Sequence, residues 1–100
     1  MRLTEQQQQI ITTNVSKVFG QSAQVLLFGS RVNDHERGGD IDLLIELDQP
    51  INKTLEKTLL LNAALQVDMG GLQKIDIITH VKSTEKTAIH KAALTTGIRL

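Results

Sequence analysis

The chain contains no cysteine, no tryptophan, no tyrosine and a single proline among its 100 residues. Without cysteine, disulfides and thiolate metal sites are excluded. The only aromatic residues are two phenylalanines, Phe19 and Phe28. Both fall in apolar stretches that read as core, so stacking of bases on aromatic rings has no obvious platform. Net charge is also absent, with 11 Lys plus Arg set against 11 Asp plus Glu. That argues against a broad nucleic-acid surface, which needs an excess of basic charge or a clear basic face. No apolar run is long enough to span a membrane and no secretory signal is visible at the N-terminus, so a cytoplasmic location is expected.

What is present suits one soluble domain over residues 1–100, with 40% hydrophobic and 22% charged residues. Thr4 to Phe19 reads as a helix capped by Thr4 and Gln7, with Ile10, Ile11, Val15, Val18 and Phe19 on one face and Gly20 as its stop. Gln24 to Phe28 is a first strand. One or two helical turns are expected from Ser30 to about His35, then a charged loop to Gly39. Asp40 to Leu47 is a second strand, with Ile41, Leu43, Ile45 and Leu47 on one face and Asp40, Asp42, Leu44 and Glu46 on the other. A second helix runs from about Asn52 or Thr54 to near Val67, with Leu55, Leu59, Leu61 and Leu65 expected to pack inward. Lys74 to Thr79 is a third strand. Ser83 is expected to cap a last helix over about 84–95, with Ile89, Ala92, Ala93 and Leu94 inward and Gly97 ending it. Ile98 to Leu100 reads as a short apolar tail.

The short link between the first two strands implies antiparallel neighbours, and the full helix between the second and third implies a parallel crossover. The expected fold is α+β, a three-stranded mixed sheet with helices packed mainly on one face. This order places Gly29 and Ser30 beside Asp40 and Asp42, and both beside Asp76. Gly29 admits close backbone approach, and Ser30 sits where free N–H groups can hold phosphate. Asp40 and Asp42 share a strand face roughly 6.6 Å apart at ~3.3 Å per residue. Carboxylates gathered this way repel one another unless cations lie between them. Three aspartates at adjacent strand ends therefore suit two hard divalent cations, of the kind that serve phosphoryl transfer.

Leu27-Phe28-Gly29-Ser30-Arg31, followed by Gly39-Asp40-Ile41-Asp42-Leu43-Leu44 and a lone Asp76 on the next strand, resembles the nucleotidyltransferase superfamily of the DNA polymerase β type. The similarity covers roughly residues 10–98 and is strongest to the minimal nucleotidyltransferase branch. It implies a nucleotidyltransferase fold and transfer of a nucleoside monophosphate, AMP from ATP, to a hydroxyl with two Mg²⁺ ions. Asp40, Asp42 and Asp76 are the implied catalytic and metal-binding residues. Gly29, Ser30, Arg31, Arg37 and Gly39 are the implied nucleotide-binding residues. Many members carry a second arginine where Asn33 stands, and Arg37 is the substitute from the loop. The branch further implies a helical HEPN-type partner within a toxin–antitoxin pair, the transferase acting as antitoxin and adenylylating the toxin. A chain of this size leaves its site open at the sheet edge, so another protein or another copy completes the acceptor side.

Blander readings stand beside these. Asp-x-Asp alone is most often a solvated strand start, and Ser30 can be a plain helix cap. The leucine stripe from Leu55 to Leu65 reads as core ahead of interface. His35, His80 and His90 read as surface residues, and Glu46 and Asp68 as structural charges. Two rival functions remain open: an antitoxin that neutralises its partner by binding alone, and a transferase acting on a small molecule or an RNA end.

Overall fold

The computed structural model describes residues 3–29, 40–71 and 74–100, with Asp40 described in its backbone only. The elements are α1 (Glu5–Phe19), β1 (Gln24–Phe28), β2 (Asp40–Leu47), α2 (Thr54–Asp68), β3 (Lys74–Val81), α3 (Ala88–Thr96) and β4 (Ile98–Arg99). The α+β mixed sheet expected from the sequence is present. It gains a fourth strand, because the C-terminal tail pairs with β1 and makes the order β3-β2-β1-β4. β1 runs antiparallel to β2 and to β4, and β2 runs parallel to β3.

α1 begins with a reciprocal cap. The Gln7 N–H donates to Thr4 Oγ1 at 3.1 Å, and the Thr4 N–H donates to Gln7 Oε1 at 3.0 Å. Its Ile11, Val15 and Phe19 turn inward, and Gly20 ends it at φ 98°. They join one face of the sheet, where Leu27, Ile41, Leu43 and Ile45 are fully covered together with Leu61 and Leu65 of α2. The opposite face is covered by α3, where Ala93 packs on Leu26 and Leu44 with Phe28, Ile78 and Leu94 around them. The alternation of β2 is thus satisfied on both sides, with α1 and α2 on one face and α3 on the other.

Three expectations change. Leu55 and Leu59 are 72% and 61% exposed, while Leu61 and Leu65 are buried. At ~100° per residue, Leu59 and Leu61 point to opposite sides of a helix, so the four leucines never shared a face. α3 starts at Ala88, not near Thr84. Thr84 closes a turn after β3, its N–H 2.9 Å and its hydroxyl 2.7 Å from the Val81 carbonyl oxygen. Thr87 is the cap instead, in a reciprocal pair with His90. Within α3, Ala92 and Ile89 are exposed and only Ala93 is buried. The turns expected near Ser30 to His35 lie outside the described residues. No helix among the described residues is long and apolar enough to cross a membrane.

Candidate functional site

Parallel pairing of β2 with β3 sets Asp42 directly against Asp76 in register. Antiparallel pairing sets Phe28, the last residue of β1, against Asp42 from the other side. Adjacent strands lie ~4.8 Å apart, so the three strands bring Gly29, Asp42 and Asp76 to one end of the sheet. Asp76 is exposed and Asp42 is half-buried. Asp40 opens β2 two residues before Asp42. Ser30, Arg31, Arg37 and Gly39 lie outside the described residues.

Gly29 holds a left-handed backbone at φ 76°. A Cβ built there would collide with Asp42 Oδ2 and stand 3.1 Å from its Cγ. Glycine is therefore required on two counts: the dihedral, and the Asp42 carboxylate lying over the turn. The sequence reserves this space for a ligand; the structure shows that the acid uses it first.

The donor set at this end is all oxygen, with carboxylates on neighbouring strands, which fits a hard cation such as Mg²⁺ and does not suit soft metals. Among the described residues no three His, Asp or Glu side chains gather as a metal-binding group. The third acid of the expected triad is Asp40, whose side chain is not among them.

At the other end of the same strands lies a polar pair that sequence reasoning misses. His80 is only 3% exposed and Glu46 only 4%, which corrects the surface assignment of His80. The His80 Nδ1–H donates to the Glu46 carboxylate, 2.9 Å from Oε1 and 3.1 Å from Oε2. His80 Nε2 lies 3.3 Å from the Thr84 carbonyl oxygen. The His90 ring of α3 sits 4.7 Å from the His80 ring, tilted by 49°. A cavity of about 240 Å³ opens beside the pair, rimmed by Lys82, Lys86 and Arg99. A signal for the pair was present: the 34-residue offset that matches Asp42 with Asp76 also matches Glu46 with His80. Extending the expected strand by one residue, from Thr79 to His80, brings it into view.

The family model described as Polymerase beta, Nucleotidyltransferase matches residues 7–100. No curated protein matches the chain at a significant level.

Proposed function

Because the chain belongs to the polymerase β-type nucleotidyltransferase family, we propose that it transfers a nucleoside monophosphate, AMP from ATP, to a hydroxyl on a helical partner protein of the HEPN type. The observation that carries the reading is the register of Asp42 against Asp76 beside the Gly29 turn. It supports a phosphate-facing acid site rather than scattered surface charge. Asp40, Asp42 and Asp76 are the residues proposed to hold Mg²⁺, and Gly29 and Ser30, with Arg31, Arg37 and Gly39, to hold the triphosphate. When bound, Mg²⁺ supplies positive charge against the phosphate oxygens and the departing pyrophosphate.

The step balances as a single displacement. The acceptor oxygen forms a bond to the α-phosphorus, the bond from that phosphorus to the bridging oxygen breaks, and pyrophosphate leaves with the electron pair. The hydroxyl proton goes to a base, and that role is assigned to Asp76, an exposed residue near the start of β3. The Gly29 backbone keeps the approach to Asp42 free of side-chain bulk. The neutral total charge favours a protein hydroxyl over a long nucleic-acid acceptor.

The test is intact-mass spectrometry of the product of the adjacent gene after incubation with ATP, Mg²⁺ and this protein. Adducts of one or more AMP units are expected with the parent and none with Asp76→Asn, while Asp76→Asn retains most nucleotide binding. Absence of any adduct with all four nucleoside triphosphates, together with tight partner binding that survives loss of all three aspartates, would replace the proposal with neutralisation by binding alone.

A further inference from the structure

The sheet register builds the cavity of about 240 Å³ beside Glu46 and His80. Cross-strand pairing sets Gln24 against Glu46 and Glu46 against His80, one row across three strands. The row shares a sheet face with Leu44, because side chains two apart on a strand point the same way. Pairing of β4 with β1 sets Arg99 against Leu26, two residues along that face from Gln24. The chain turns after β3 and carries Lys82 and Lys86 to the rim.

The rim is cationic. Lys82, Lys86 and Arg99 line the cavity, and Glu46 is the one carboxylate among the described residues that do so. Lys82 is paired with Asp48, its Nζ 3.1 Å from Oδ1. Lys86 and Arg99 are exposed, and neither side chain has an ion-pair partner among the described residues. Like charges gathered around a hollow repel one another and favour an anion between them.

The floor is different. The Glu46 side chain is buried to 5% exposure at the cavity. A carboxylate is an acceptor only, with about four lone-pair sites on its two oxygens. The His80 Nδ1–H occupies part of that capacity. An anion that enters must offer Glu46 a hydrogen or be repelled by it.

From the cationic rim and the acceptor-only floor we infer that this cavity binds an oxyanion that still carries a proton, free inorganic hydrogen phosphate. Its bare oxygens accept from Lys86 and Arg99, and its O–H donates to the Glu46 carboxylate, a charge-assisted bond of the strong kind. Sulfate has the same shape but no proton near neutral pH. A phosphate monoester loses its last proton above a second pKa of about 6. Both present only bare oxygens to Glu46. A site built to hydrogen-bond a hydroxyl rejects the analogue that lacks it far better than a pocket that reads shape alone. Size agrees, since the cavity falls below the ~300–1,000 Å³ of pockets for drug-sized ligands and suits a small ion better than a nucleotide. The inference is independent of the proposed transfer reaction.

Amide chemical-shift titration of the isotope-labelled full chain with sodium phosphate tests it, in low-salt buffer with EDTA at about pH 8, where monoesters are fully deprotonated. Saturable shifts are expected at Gln24, Glu46, His80 and Arg99 and not at Asp42 or Asp76, with a melting temperature that rises with phosphate. Sulfate and phosphoserine should bind several-fold more weakly. Glu46→Gln, whose amide donates to bare oxygens, should bring sulfate level with phosphate. Arg99→Gln, at an exposed position, should weaken phosphate binding on the order of tenfold, as loss of one charge-assisted hydrogen bond does. Sulfate binding as tightly as phosphate to the parent overturns the proposal. So do shifts that never saturate, shifts confined to the acid end, or an Arg99→Gln chain with the parent's affinity. Should Glu46→Gln fail to fold, the parent's preference for phosphate and the Arg99→Gln loss decide.

Discussion

Gly29 ties a backbone angle to a catalytic candidate. Alanine there meets two penalties: a left-handed φ of 76° and collision with the Asp42 carboxylate. The first alone costs ~1–2 kcal/mol. Gly29→Ala should therefore lower stability by at least that amount in urea unfolding while also displacing the Asp42 carboxylate. The expected signature is a loss of nucleotide affinity larger than the loss of stability explains, read by calorimetry on chains still fully folded. Equal nucleotide affinity in the variant and the parent would remove Gly29 from the site. Asp68 is the opposite case, a charge whose part is structural. It accepts the Asn14 side-chain N–H at 2.9 Å and joins α2 to α1.

At the scale of elements, the Glu46–His80 pair does more than bond two side chains. It fastens the far ends of β2 and β3, reaches the turn through the Thr84 carbonyl oxygen and touches α3 through His90. Removing one partner of a buried hydrogen-bonded pair leaves the other polar group unsatisfied at a cost of ~1–3 kcal/mol, whereas replacing both partners by apolar groups of similar shape can be nearly neutral. His80→Leu should thus unfold at distinctly lower urea than the parent, and adding Glu46→Leu should restore much of the loss. A double variant as unstable as the single one would show that the pair itself holds the elements.

Much of this layer is legible in the sequence. α1, β1 and β2 carry their boundaries in Thr4, Gln7, Gly20 and the alternation from Ile41 to Leu47, all local signals. The acid register is legible too, because strand order alone decides which aspartates meet. β3 reads short because His80 breaks the apolar pattern before Val81, and only pairing with β2 makes that segment a strand. The inward face of α2 is hidden because leucine occupies every side of it, so periodicity singles out none. The sites of Ser30, Arg31, Arg37 and Gly39 remain sequence expectations, since they lie outside the described residues.

Taken whole, the molecule separates two polar centres on one sheet face, about 13 Å apart along four residues of strand at ~3.3 Å each. Asp42 and Asp76 mark one end, and Glu46 and His80 the other. The acid end sets like charges side by side, a cost of ~0.2–1 kcal/mol by cross-strand pairing. Asp76→Asn should therefore raise the melting temperature of the metal-free protein by a few degrees, since ~1 kcal/mol corresponds to ~4–8 °C in a domain of this size. ATP with Mg²⁺ should raise the melting temperature of the parent, and raise that of Asp76→Asn less. Differential scanning calorimetry with and without Mg²⁺ reads both effects. An equal rise in parent and variant would exclude Asp76 from metal binding.

The position of β3 at the sheet margin has a bearing on solubility. Ile75, Ile77, Ile78 and Val81 give this eight-residue strand the composition of a segment that seeds intermolecular pairing when its edge is open. The exposed charges of Lys74 and Asp76 interrupt that tendency, as gatekeeper residues do in strands that cannot be hidden. Asp76 then guards the chain against its own aggregation whether or not it touches a nucleotide. Selection for a soluble chain and selection for the proposed chemistry would favour the same carboxylate.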